Sequence, residues 1–158
     1  MSKHINNRSK TFMKEYSKAQ LAYLAGMIDG EGTVTLTKTS SESELRLPRL
    51  GVASTSKELV EYLENTFGGT ISSKKTYEDH HKKSFCWMAR YNKCLELLKA
   101  VLPYLRENSK KRRARLLVNH YKDITPRNGK YTDKQKERKL KFQKHFFHPD
   151  QFQNWNQS

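Results

Sequence analysis

The segment Leu21 to Gly32, LAYLAGMIDGEG, constrains the fold more than any other stretch of the chain. Leu21, Leu24, Ala25 and Ile28 recur at i, i+3, i+4 and i+7, the spacing of one buried helix face. Ala22, Gly26 and Gly30 recur at i, i+4 and i+8 and form a second ridge on which nothing is bulkier than a methyl group. Each glycine costs a helix about 1 kcal/mol relative to alanine, and close approach of another helix backbone offsets that cost. The segment therefore predicts a helix buried on one side and open to a second helix on another. Asp29 and Glu31 stand at its C-terminal end, and an acidic point there is a candidate divalent-metal site. Gly30 and Gly32 are expected to supply the backbone turn that presents Glu31.

The rest of the chain reads as further elements around this helix. Ser17 is a plausible N-cap for it. Residues 33–39, TVTLTKT, alternate strictly, with Thr33, Thr35, Thr37 and Thr39 on one face and Val34 and Leu36 on the other, as in a half-exposed strand. After the polar loop SSESE comes a second strand, about residues 45–54, with Leu50 and Val52 toward one side and Arg49 and Gly51 toward the other. Pro48 places this strand at a sheet edge or delays its start. SKELVEYLENTF predicts a helix with Ser56 at its N-cap and Gly68-Gly69 at its end. Two more strands, 70–77 and 84–91, flank a charged loop, and Cys86 and Met88 compete with Trp87 for the core face. Another helix through Leu95, Leu98 and Val101 ends around Pro103. The order helix, two strands, helix, two strands, helix predicts an α+β fold, with one antiparallel four-stranded sheet and the helices on a single side. The opposite, polar sheet face is suited to a groove of DNA.

Charge narrows the partner. The 158 residues carry 31 Lys and Arg against 16 Asp and Glu, a formal net charge of +15, which points to a polyanion. From Arg106 to Lys144 there are 15 Lys or Arg and four acids. KKRRARLLVNHY reads as a helix docked through Leu116, Leu117, Val118 and Tyr121, TPRNG as a turn, and residues 132–146 as a final helix. The tail FFHPDQFQNWNQS has no pattern that assigns it. Cys86 and Cys94 are too few for a disulfide framework and lack zinc-site spacing, so both are expected to be reduced core thiols. The histidines, His80 and His81 included, show no metal spacing. No apolar run reaches the length of a membrane span, and a soluble, intracellular protein is expected.

Leu24 to Gly32, LAGMIDGEG, resembles the signature helix of the LAGLIDADG homing endonucleases, with Met27, Gly30 and Glu31 as the three departures. The resemblance extends over about residues 16–120, through PYL and the basic cluster after it. It implies an endonuclease domain at 15–122, while composition alone reads residues 1–14, basic and without an acid, as a mobile arm and 123–158 as a basic C-terminal helix and tail. It also implies that Glu31 binds a divalent ion with the Gly30 carbonyl, while Asp29 takes a local structural role at the helix end. Hard oxygen ligands and a phosphate substrate favour Mg²⁺, with Mn²⁺ as a substitute.

The motif occurs once, so the resemblance implies a homodimer, with helices meeting across Ala22, Gly26 and Gly30. A lysine near the scissile phosphate maps to Lys110, with Lys111 and Arg112 as alternatives in the same DNA-contacting cluster. Ser54 maps to a polar position that orders water. Base readout falls to the exposed strand faces, with Thr35, Thr37, Thr39, Arg46, Arg49, Ser72, Lys74 and Thr76 as candidates. The implied activity is sequence-specific, metal-dependent cleavage of double-stranded DNA at a long, nearly palindromic site, by an enzyme expected to be intron-encoded. The alternative is a non-cleaving nucleic-acid binder of the same fold, an RNA-intron maturase or a transcription regulator. A ribosome-associated basic protein would explain the charge but not the glycine ridge ending in a carboxylate.

Overall fold

The computed structural model describes residues 15–74 and 83–157. The basic arm at 1–14, the histidine-containing loop and Thr76 lie outside the described residues. Helix α1 (Lys18–Glu31) leads into strands β1 (Gly32–Lys38) and β2 (Arg46–Ser54). Helix α2 (Lys57–Phe67) follows, then β3 (Thr70–Lys74), β4 (Ser84–Arg90) and α3 (Tyr91–Val101). A 3-10 turn (Leu102–Tyr104) precedes α4 (Asn108–His120) and α5 (Asp133–Phe147). The strands form one antiparallel sheet in the order β1-β2-β4-β3. Among the described residues no helix is long and apolar enough to cross a membrane.

Local chemistry sets the helix starts. The Ser17 hydroxyl accepts from the Gln20 N–H while the Gln20 side chain accepts from the Ser17 N–H, a closed capping box. Ser56 caps α2 through the Leu59 N–H. At the other end of α2, Gly68 and Gly69 take φ of 76° and 85°, a region that L side chains avoid. The Gly68 carbonyl there accepts from the Trp87 indole N–H at 2.7 Å.

The end of α1 differs from expectation. Gly30 is still helical and Gly32 is extended, with φ −85° and ψ 160°, so no left-handed glycine turns the chain. Gly32 is required for space instead, because a Cβ there would stand 2.5 Å from the Ile28 Cα.

The core lies on the helix side of the sheet. Val34, Leu50, Val52, Trp87 and Ala89 are buried there with Leu24, Ala25 and Ile28 of α1, Val60, Leu63 and Phe67 of α2, and Leu97, Leu98 and Val101 of α3. Ala114 and Leu117 of α4, Phe142 and Phe146 of α5, and Trp155 of the tail join the same cluster. The tail is thus docked, with Trp155 edge-on to Phe142 at 5.0 Å and to His120 at 5.2 Å. Burial pushes the Cys94 thiol up to about 12, which makes it an inert core group.

Pro48 sits in a central strand rather than at an edge. It is paired with Leu36 of β1, and the pairing of β2 with β4 begins one residue later, at Arg49 with Arg90. Locally β2 has only one neighbour at Pro48, which is how a central strand accepts a proline.

Candidate nucleic-acid interface and acidic corner

The C-terminus of α1 and the N-terminus of α4 meet in a corner built from charged side chains and main-chain groups. The Asp29 carboxylate accepts from the N–H of Arg106 at 3.2 and 3.0 Å and from that of Glu107 at 3.0 Å. The Glu107 carboxylate accepts from the N–H of Ser109 at 3.2 Å and of Lys110 at 2.7 Å, capping α4. These N–H groups, Lys110's first and then Ser109's, hold the Glu107 carboxyl below the usual carboxylate range. The Lys110 ammonium returns to α1, donating to the carbonyls of Ile28 at 3.0 Å and Asp29 at 2.8 Å. A cation there faces the negative end of the helix dipole.

This geometry sorts the acids of the motif. Both oxygens of Asp29 are committed to the main chain entering α4. Glu31, the last residue of α1, is exposed. It lines a cleft of about 360 Å³ with Met27, Ala53, Ser54, Thr55, Leu59 and Ser84. The structure thus brings Glu31 and Ser54 into one cleft, where the Ser54 hydroxyl also accepts from the Ser56 N–H at 3.0 Å. Larger clefts, about 730 Å³ beside Leu47 and Tyr91 and about 500 Å³ beside Trp155, lie elsewhere.

Among the described residues no three His, Cys, Asp or Glu side chains gather as a metal cage. The donors at the end of α1 are hard oxygens, of the kind that Mg²⁺ prefers. One chain offers one uncommitted carboxylate there, with the Gly30 carbonyl beside it, so these oxygens fit part of a coordination shell.

The ridge of α1 has no partner among the described residues. Ala22, Gly26 and Gly30 are exposed, and a Cβ added at either glycine would meet nothing within 4 Å. Tyr23 and Tyr62 pack edge to face beside the ridge at 5.5 Å while remaining 48% and 38% exposed.

The register divides the candidate base readers. Thr35 is paired with Arg49, and Arg49 with Arg90, so these three form a row across β1, β2 and β4 on the polar face. Thr37 with Leu47, Thr33 with Gly51 and Met88, and Cys86 with Ser72 share that face. The Lys74 backbone pairs with Ser84. Thr39 lies one residue past β1 and outside the ladder.

Arg46 is paired with Lys38 on the helix side, not the polar side. Its N–H donates to Gln143 of α5 at 2.7 Å, and its guanidinium lies 5.2 Å from the Phe147 ring centroid. Arg112 also points inward, donating to the Phe146 carbonyl at 2.9 Å at the end of α5. Lys111 is half-buried in the first turn of α4. Arg90 is the polar-face residue that sequence reasoning missed. It is exposed at the end of β4, and placing Trp87 and Ala89 in the core would have put it on the outer face.

No family model matches the sequence, and no curated protein matches it. Solved structures do match. The homing endonuclease I-CvuI, in complex with an I-CreI target in the presence of Mg with the DNA not cleaved, aligns at 18% identity and a TM-score of 0.55. That alignment covers 89% of this chain and 83% of that one. The archaeal intron-encoded homing endonuclease I-Vdi141I, complexed with DNA, aligns at 15% identity and a TM-score of 0.54 over 82% of both chains. The LAGLIDADG meganuclease I-CpaMI, bound to uncleaved DNA, aligns at 16% identity and a TM-score of 0.60 over 89% of this chain and 49% of that one. The fold is that of the LAGLIDADG homing endonucleases.

Proposed function

We propose that this chain, with the fold of the LAGLIDADG homing endonucleases, is a divalent-metal-dependent endonuclease that cleaves double-stranded DNA as a homodimer. The observation that carries the proposal is the division of labour at the end of α1. Asp29 is consumed by the main chain of α4 while Glu31 is left exposed at a cleft, between an unpartnered glycine ridge and a polar sheet face.

The sheet face lies along the duplex. Arg49 and Arg90 supply the forked donors suited to guanine, and Thr33, Thr35, Thr37 and Ser72 supply adaptable hydroxyls. Arg46 and Arg112 hold α5 to the body instead, and the basic surface around Lys111 meets phosphates. A second copy packs its α1 against Ala22, Gly26 and Gly30, which brings two Glu31 carboxylates together, one for each strand. Each Glu31, with the Gly30 carbonyl, would hold Mg²⁺ or Mn²⁺; such an ion would supply an activated water and neutralise charge on the leaving 3′ oxygen. Lys110 leaves the Gly30 carbonyl free of its own bonds by taking those of Ile28 and Asp29. Its ammonium places a positive charge beside the phosphate being cleaved, and Ser54 orients water across the cleft.

Selection of cleaved sites from a random double-stranded DNA library in Mg²⁺ tests the proposal. Twofold-related half-sites, cut by the wild type and not by Glu31→Gln, are the expected result. Undiminished cutting by Glu31→Gln overturns the metal assignment. Tight nucleic-acid binding without any nicking selects the non-cleaving alternative.

A further inference from the structure

We infer that Glu107, acting with Asp29, is a positioning residue that sets where the Lys110 ammonium stands at the C-terminal end of α1. The inference rests on the endonuclease reading and adds to it a residue outside the motif. The hydrogen bonds form a closed circuit between two helix ends. The Asp29 carboxylate holds the N–H groups of Arg106 and Glu107, and the Glu107 carboxylate holds the N–H groups of Ser109 and Lys110. The Lys110 side chain closes the circuit on the Ile28 and Asp29 carbonyls.

Lys110 is thereby pinned twice, at its main chain by Glu107 and at its tip by α1. A lysine stem has four rotatable bonds, so an ammonium reaches a defined point only when its root is fixed as well as its tip. The first turn of a helix has N–H groups without intrahelical partners, and Glu107 takes two of them, including that of Lys110 itself at 2.7 Å. Two of the three ammonium donors are spent on carbonyls, which leaves one N–H for a substrate oxygen. Glu107 is exposed and contributes nothing to the core, so its removal disturbs the aim of Lys110 more than the fold. A misplacement of about 1 Å at a reacting centre costs on the order of a hundredfold in rate.

The test is a double-mutant cycle on the full chain, read as single-turnover cleavage of its selected DNA, with DNA affinity measured separately in Ca²⁺. Glu107→Ala is expected to slow cleavage by about tenfold or more with DNA affinity essentially unchanged, and to lower the melting temperature only by the few degrees that loss of an N-cap costs. Glu107→Asp, which keeps a capping carboxylate, is expected to restore most of the rate. In a Lys110→Met background the further change Glu107→Ala is expected to alter the rate by less than about twofold. Equal rate losses from Glu107→Ala in both backgrounds overturn the inference, as does a loss explained wholly by weaker DNA binding. If the wild type cleaves no DNA, the endonuclease reading fails, and the positioning claim is read from the ¹⁵N resonance of the Lys110 ammonium. Slow proton exchange present in the wild type and lost in Glu107→Ala sustains it, and exchange unchanged by Glu107→Ala overturns it.

Discussion

Lys110 and Lys139 both donate to uncharged oxygen acceptors, and their settings differ. Lys110, half-buried at the corner of α1 and α4, donates to two carbonyls at the C-terminal end of α1. Lys139, in α5, is only 1% exposed. It donates to the hydroxyls of Tyr121 at 3.2 Å, Thr125 at 3.0 Å and Tyr131 at 2.6 Å, with the Tyr121 and Tyr131 ring centroids at 4.5 and 5.1 Å. Lys139 has spent all three donors on neutral hydroxyls in a closed pocket, and burial pushes its pKa down to about 8. Lys110 keeps a donor in reserve at the negative end of a helix. The first arrangement docks the C-terminal helix, and the second suits an anionic substrate. Mutations at the two corners should therefore separate stability from chemistry.

The largest separation is expected at the acidic corner. Glu31→Gln removes the exposed carboxylate while touching no core residue. It should lower cleavage by about a thousandfold or more, equivalent to roughly 4 kcal/mol of transition-state stabilisation, with DNA affinity and thermal stability near wild type. A large fall in melting temperature would show that Glu31 is structural and would break the contrast.

The two lysines themselves come next. Lys110→Met should lower cleavage about ten- to a hundredfold, as expected for the loss of a placed charge, with a small effect on stability. Lys139→Ala should do the reverse, costing about 2 to 3 kcal/mol through the cavity and the three hydroxyls left without their donor. Single-turnover cleavage beside denaturant unfolding, on both variants, would check the crossing. Equal effects of the two substitutions on both observables would abolish the distinction.

At the sheet, Arg90→Gln should relax base preference at one position of each half-site by about 1 to 3 kcal/mol. Arg46→Gln, on the opposite face, should leave the selected sequence unchanged and lower stability through its contacts with α5. Comparing the sites selected by the two variants measures this difference directly.

What could be read in advance follows from local periodicity. The threonine face of β1, the N-caps Ser17 and Ser56, and the buried and open faces of α1 each depend on neighbours within one turn or one pleat. The face of Arg46 is not legible in the sequence, because the polar loop before it carries no register; only its pairing with Lys38 places it on the helix side with Leu36. Arg90 was hidden because Cys86, Trp87 and Met88 are all suitable for a core, and a one-residue shift exchanges the two faces. The partner of Lys110 lies more than 80 residues away in sequence, beyond any spacing argument. Lys139 belongs to a buried stripe with Phe142, Gln143 and Phe146 at helical spacing, but two of the four are polar, so an apolar template passes over it. Trp155 is a single aromatic in a polar tail and has no periodicity at all.

The smallest effect isolates Lys139 by pH. In the unfolded chain its ammonium titrates near the ordinary value of about 10.4, whereas in the fold it titrates at about 8. Between these values the unfolded state binds more protons, so stability rises with pH by up to about 1.4 kcal/mol per unit from this group. Burial raises the phenols of Tyr121 and Tyr131 above their usual range, which favours the protonated hydroxyls of the cage. Unfolding free energy measured from pH 8 to pH 10 for the wild type and for Lys139→Met should therefore diverge, with the wild type gaining relative to the variant. The gain should be steepest midway through the window and shallower at both ends, because near pH 8 the folded chain still holds part of its protons and near pH 10 the unfolded chain begins to lose its own. Parallel curves would mean that the ammonium keeps an ordinary affinity for its proton. The hydroxyl cage would then hold a charge as readily as the carbonyl end of α1 does, and the two corners would differ in position only.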